Sequence, residues 1–446
     1  MSVENKTCEC SCEACEEASC RNRPRVPFTK EMRRTHTILM PNMLPRHLKM
    51  VGKILDMHGY KAELMEYGLH GDGRKVIEAG LLNVHNDICY PAQLIIGQML
   101  VALQSGDYDP HKVAFLYPQT GGGCRASNYI HLARKALAKA GFGYVPVISL
   151  NVAGLEPNPG FKVTVKMFHQ AAYGLFYGDL LMCLVNQTKP YEIEPGSAEA
   201  LADRWIDTLI AEMSKKRLRY SNVKKNYLKI IESFTQLPIK MPEQRIRVGI
   251  VGEIFVKFSP LGNNELEKYL ISEGAEPVMG GLIDFILFCA ANGMYDRSYY
   301  GFSKAKAVMS KVVYDFLLSR ERDMARLIRE NSSFIPPCDF QHTESLTEGV
   351  ISHAVKMGEG WLLTAEMMEL VDSGVENVVI TQPFGCLPNH IVGKGMMKPV
   401  KDKFPQVNLV AIDYDSGATK INQENRLKLM LANAREKLQA AGTKGQ

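Results

Sequence analysis

Short apolar runs alternate with helical stretches along most of this 446-residue chain. Strand-like runs fall at 36–40, 61–65, 81–84, 112–117 and 144–150. Between them, 46–59, 91–103 and 128–140 carry helical patterning. The first and last of these end at Gly59 and Gly141, and the middle one opens at Pro91, a favoured first-turn position. Strands separated by helices pair in parallel and are covered on both faces, so the expected class is α/β. Residues 160–240 lack strand signals and read as helices with a Lys- and Arg-rich connection. A second α/β unit opens at Arg247-Val248-Gly249-Ile250-Val251-Gly252, with further strands expected at 276–279, 377–381 and 408–412. The expected division is a Cys-rich flexible tail (1–28), a first α/β lobe (29–159), a helical segment (160–244) and a second α/β lobe (245–446). No sequence repeat links the two lobes.

Composition narrows the function classes. A hydrophobic fraction of 46% and a charged fraction of 23% are ordinary for a globular protein. The formal charge of +5 is small for this length, and Lys215-Lys216-Arg217-Leu218-Arg219 reads as a solvated helix face, so no nucleic acid is expected. The most apolar stretch, 278–294, is interrupted by Asp284 and Asn292. It reads as a buried strand and helix rather than a membrane span. The polar N-terminus has no signal-peptide pattern, and a cytoplasmic protein is expected. In a reducing compartment, eleven cysteines point to metal or redox chemistry rather than to a disulfide framework.

Three cysteines stand in turns, each read as lying between a strand and a helix: Asn86-Asp87-Ile88-Cys89-Tyr90-Pro91, Gly121-Gly122-Gly123-Cys124-Arg125 and Pro383-Phe384-Gly385-Cys386-Leu387-Pro388. Ligands of parallel sheets bind beyond the carboxyl ends of the strands. A helix N-terminus offers unused N–H groups and positive potential, which lower a thiolate's pKa and suit an anionic group. Gly122 and Gly123 allow close approach of the main chain, and Arg125 adds a cation, so these three are expected to line a cofactor. From spacing alone Cys89, Cys124 and Cys386 read either as one shared metal site or as separate buried thiols. Three thiolates would leave one position open on a 4Fe–4S cluster or a tetrahedral zinc.

The same segments resemble the 2-hydroxyacyl-CoA dehydratase and benzoyl-CoA reductase superfamily, closest to the C-terminal portion of the large acyl-CoA dehydratase activase-related proteins. The likeness runs from about residue 28 to 432. It is carried by His36-Thr37-Ile38-Leu39-Met40-Pro41, by the three cysteine loops, by Val248-Gly249-Ile250-Val251-Gly252-Glu253, by Gly358-Glu359-Gly360-Trp361-Leu362-Leu363-Thr364-Ala365-Glu366 and by Gln382-Pro383-Phe384-Gly385-Cys386-Leu387-Pro388-Asn389-His390. The resemblance implies two Rossmann-like lobes with mostly parallel sheets around an iron–sulfur cluster, with Cys89, Cys124 and Cys386 as ligands. It implies a low-potential electron delivered by a separate ATP-hydrolysing activator. Some relatives dehydrate 2-hydroxyacyl-CoA through a ketyl radical, some reduce aromatic rings, and some carry a double-cubane cluster. This chain lacks the ATPase module of the large relatives and any G-x-x-x-x-G-K-[ST] loop. ATP is therefore expected to be handled by a partner, and a sibling chain is expected to supply the missing module.

Other residues carry weaker signals. Cys8, Cys10, Cys12, Cys15 and Cys20 follow C-x-C-x-C-x2-C-x4-C, which differs from the ferredoxin pattern and reads equally as a thiol-rich tail or a second site. Cys338, beside Pro336 and Pro337, is a candidate fourth ligand, whereas Cys183 and Cys289 read as core. His390 is a candidate proton donor beside the third cysteine, with capping or packing the plainer role. Glu359 and Glu366 are seven apart, on one face of a helix, and are candidates for acid–base work or for structural hydrogen bonds; Glu253, after a strand end, shares that ambiguity. Three functions remain on these residues: an iron–sulfur enzyme component acting on an acyl-CoA, a non-catalytic electron-transfer or cluster-scaffold subunit, and a zinc or nucleotide enzyme.

Overall fold

The computed structural model describes residues 25–69, 73–119, 123–151, 156, 158–215, 217–240 and 245–443. The cysteines at 8, 10, 12, 15 and 20, and Gly122, lie outside them. The first lobe runs β1 (Thr37–Met40), α1 (Pro45–Met57), β2 (Lys61–Leu64), α2 (Gly73–Asn83), α3 (Tyr90–Gln104), β3 (Val113–Gln119), α4 (Tyr129–Lys139) and β4 (Val147–Asn151). Three helices follow: α5 (Val165–Thr188), α6 (Ser197–Lys215) and α7 (Tyr220–Thr235). The second lobe begins with β5 (Ile246–Gly252), α8 (Ile254–Phe258), α9 (Leu266–Ser272), β6 (Ala275–Val278), α10 (Leu282–Tyr300) and α11 (Lys304–Asn331). It closes with α12 (Phe340–Ser345), α13 (Gly360–Asp372), β7 (Asn377–Pro383), α14 (Leu387–Val392), α15 (Met397–Lys403), β8 (Asn408–Tyr414) and α16 (Lys420–Thr443).

The fold is α/β with two four-stranded sheets, both parallel throughout. Their orders are β2-β1-β3-β4 and β6-β5-β7-β8, so both sheets follow the same winding. In each, the chain reverses direction across the sheet between the two central strands. The crevice that favours ligands therefore opens beyond the carboxyl ends of β1 and β3 in one lobe and of β5 and β7 in the other.

Alternating side chains bury both faces of each sheet. Ile38, Met40, Ala114, Leu116 and Ile148 meet helices α1 and α5, in a core that continues to α10, α11 and Trp361. The opposite face, with Leu39, Phe115 and Tyr117, shares a second core with Val248, Ile250 and Val379 of the other sheet. Helix α3 lies within that shared core and is buried on nearly every side, which explains its unbroken apolar sequence. Val251, Val378, Ile380, Leu409 and Ala411 turn outward onto α13 and form a third core.

One element departs from the expected pattern. The run at 81–84, expected as a strand, is mostly the last turn of α2. Helix α2 packs against α3 at backbone contact distance. The place of a Cβ on Gly80 lies 2.4 Å from Gln93 O, and on Gly97 it lies 2.0 Å from Val76 O. Only glycine permits two helices to approach so closely.

Candidate functional site

Two of the three cysteine loops occupy equivalent crevices. Cys124 follows β3, and Cys386 follows β7. Cys89, by contrast, sits in the turn between α2 and α3 rather than at a strand end. It is brought to the others by tight contacts between loops. Tyr90 N donates to Phe384 O at 3.0 Å. Gly385 adopts φ +69°, and the place of its Cβ is 3.1 Å from Cys89 Cα. On the other side Gly123 N reaches Met357 Sδ at 3.1 Å. The place of a Cβ on Gly358 is 2.9 Å from Cγ of Pro388. Four loops from both lobes thus close on one place.

Each cysteine is an N-cap residue. Cys89 caps α3, Cys386 caps α14, and Cys124 precedes a 3-10 turn at Arg125–Asn128. None makes a side-chain capping hydrogen bond. Cys89 is 4% exposed and Cys386 9%. The Cys89 Sγ lies 3.0 Å from the hydroxyl of Tyr129, the first residue of α4.

The expected low thiol pKa is not what this burial produces. Burial pushes Cys89 up to about 11, against the help of Tyr129 and the Ala92 N–H. Burial also pushes Cys386 far up, and the charges of Glu359, Glu253 and Cys89 add to it. Helix-terminal N–H groups favour both thiolates, as the sequence suggested, but desolvation outweighs them. Cys124 contributes to the field at Cys89, and Cys89 to that at Cys386.

Two buried carboxyls border the thiols. Glu253, at the end of β5, accepts from Val256 N at 2.9 Å and caps α8. Glu359 accepts from Ile254 N at 3.0 Å. Burial, and then the neighbouring Glu359, push Glu253 up to about 8. Glu359 is raised for the same first reason. Both carboxyls are thus pushed toward the protonated form.

The other sequence candidates lie at varying distance from this centre. Arg125 and Gly123 are exposed at its edge. His390 is exposed on α14, its N–H bonded to the Cys386 carbonyl. Glu366 pairs with buried Lys257 at 2.9 Å, and Glu359 feels both charges. Cys338 stands apart, beside Thr343 and Glu369, and is not drawn to the three thiols. Cys183 is half-buried beside Gln187. Cys289, read as core, is exposed on α10, where the charge of Glu359 reaches it. Its neighbours Leu287, Phe288, Ala290 and Ala291 take the core-facing positions of the helix instead. Sequence reading missed Tyr129 and Lys257; the first residue of the helix after Cys124 was the available signal for Tyr129.

Among the described residues, no three His, Cys, Asp or Glu side chains close to the spacing that cages a single metal ion. Cys89, Cys124 and Cys386 are the sulfur donors that would hold a larger group here. Each is an N-cap residue, so nearby main-chain N–H groups would favour an anionic group, and bound iron would supply the positive charge that thiolates need at this depth. Comparison with known proteins adds no assignment: neither a family model nor a curated protein matches the chain.

Proposed function

We propose that this protein is an iron–sulfur redox protein of the 2-hydroxyacyl-CoA dehydratase and benzoyl-CoA reductase kind, with Rossmann-like lobes and one 4Fe–4S cluster held by Cys89, Cys124 and Cys386. The observation that supports this reading is the packing of three loops, each with an N-cap cysteine, against one another and the Met357–Gly358 loop. When bound, the cluster would supply a single low-potential electron. The chain's own part is to exclude water from Cys89 and Cys386, to fix their loops through Gly385 and to hold a proton on the Glu253–Glu359 pair. Such a proton would be available to a group reduced at this centre. The electron would come from an ATP-hydrolysing activator, the substrate would be an acyl-CoA, and a sibling chain would complete the complex.

Anaerobic reconstitution with iron and sulfide tests the cluster. The expected result is about four iron and four sulfide per chain with a cluster spectrum. Single changes Cys89→Ala, Cys124→Ala and Cys386→Ala should each lower the iron content and alter that spectrum. Stoichiometric zinc, or unchanged spectra in all three variants, overturns the proposal. The near-complete burial of Cys89 and Cys386 also favours a second reading, a non-catalytic electron-transfer or scaffold subunit. Turnover of candidate acyl-CoAs with activator and reductant separates the two.

A further inference from the structure

Helix α11 carries two apolar faces. Its inner face, with Tyr314, Leu317, Leu318, Met324 and Ile328, is buried in the core it shares with α10. The two helices lie so close that the place of a Cβ on Gly293 is 2.1 Å from Ser310 Oγ. The outer face is bare. Ala305, Val308, Met309, Val312, Val313 and Phe316 recur at the three- and four-residue spacing of a single helix stripe. All six are exposed, the five larger ones by 39–65%. No residue from 304 to 313 is buried.

A surface helix needs one apolar stripe, turned to the core, and a helix apolar on opposite sides is one that is covered on both. The turn between α10 and α11 enlarges the outer face. Tyr299, Tyr300 and Phe302 are about half exposed there, beside the start of the stripe. They are fixed in place: Tyr300 donates to Ala354 O at 2.9 Å, and the Lys356 ammonium lies over the rings of Tyr300 and Phe302. Turn and stripe together expose roughly 700–800 Å² of mostly apolar surface, taking an aromatic side chain as roughly 150–250 Å². That exceeds the roughly 300–600 Å² of the largest patch on a typical monomer. It matches the roughly 800 Å² that each partner of a standard interface contributes.

We propose that a second copy of this chain docks here, with α11 packed antiparallel on its own counterpart about a two-fold axis. Such a contact requires a face that complements itself, and the stripe does so. With the axis between Ser310 and Lys311, Ala305 stands opposite the partner's Phe316 and Met309 opposite the partner's Val312. Small side chains then meet large ones, layer by layer. The seam carries no charge, and Lys311 and Asp315 pair with each other at its edge, at 2.9 Å. A lipid surface favours a bulkier apolar face bordered by cations. The inference does not rest on the thiol centre, and its test needs no iron.

Sedimentation equilibrium of the full chain decides it. At micromolar concentration the expected mass is twice the 49.9 kDa of one chain. Met309→Asp and, separately, Val312→Lys each put a charge from both copies into the seam, and each should weaken the dimer roughly 100-fold or more. Both side chains are exposed in a single chain, so native circular dichroism should persist. Mixing the two variants sets Asp against Lys in one layer and leaves the other layer native, so the mixture should dimerise again. Leu429→Asp, at an equally exposed site on α16, should leave the mass unchanged. A chain that stays monomeric, whatever else binds this face, overturns the proposal. So does a dimer indifferent to Met309→Asp and Val312→Lys, a dimer lost with Leu429→Asp, or a mixture that stays monomeric.

Discussion

Gly385 and Asp179 illustrate how single residues set this molecule's geometry. Gly385 holds a left-handed backbone against the main chain of Cys89. Gly385→Ala places a side chain in a conformation that costs about 1–2 kcal/mol and pushes the two cysteine loops apart. The expected outcome is a small loss in denaturant stability with a larger loss of reconstituted iron. Asp179 binds a buried histidine and two N–H groups at the start of α10. Asp179→Ala strands all three, and chemical denaturation should register a loss of about 3–5 kcal/mol. The sequence marked the cysteines through their turn residues and the N-terminal signal of Pro91. It could not foretell their acidity, because desolvation comes from atoms distant in the chain, and desolvation outweighs the local N–H groups at Cys89 and Cys386.

At the scale of elements, the position of Cys89 depends on two helices rather than on a strand. Leu81, Leu82 and Val84 suit a buried strand or a helix end equally well. The glycine contacts between α2 and α3 decide for the helix, and they carry the Cys89 turn toward Phe384. Gly97→Ala drives a methyl group into Val76 O. Overpacking of this kind costs about 1–3 kcal/mol or more. A drop in melting temperature is expected together with loss of the cluster spectrum; a variant that keeps both would show that α2 does not position Cys89. Strands β1, β7 and β8 were plain in the sequence because their runs are largely buried and carry β-branched residues.

For the whole molecule, several buried carboxyls make stability depend on pH. Burial pushes Glu253 and Glu369 from the ordinary 4.5 up to about 8, and Asp284 from 3.8 up to about 7. Each holds its proton to higher pH when folded, so unfolding releases protons between the two values. This contribution is full below about pH 4, declines as pH rises toward 8 and stays lost above it. The metal-free protein should therefore resist chemical denaturation more at pH 5.5 than at pH 8.5, by on the order of a few kcal/mol. Glu369→Gln should flatten part of that slope; a profile that rises across this range contradicts the assignment. The alternation of strands and helices, the parallel class of the sheets and the placing of Cys124 and Cys386 in turns followed from the sequence alone, because patterning and turn chemistry are local. The identical winding of the two sheets, the packing of the three cysteine loops and the gathering of carboxyls among α5, α10, α11 and α13 were decided only by tertiary structure. Those features depend on which segments pack together, and Asp179, Asp284, Glu321 and Glu369 become neighbours solely because four helices share one core.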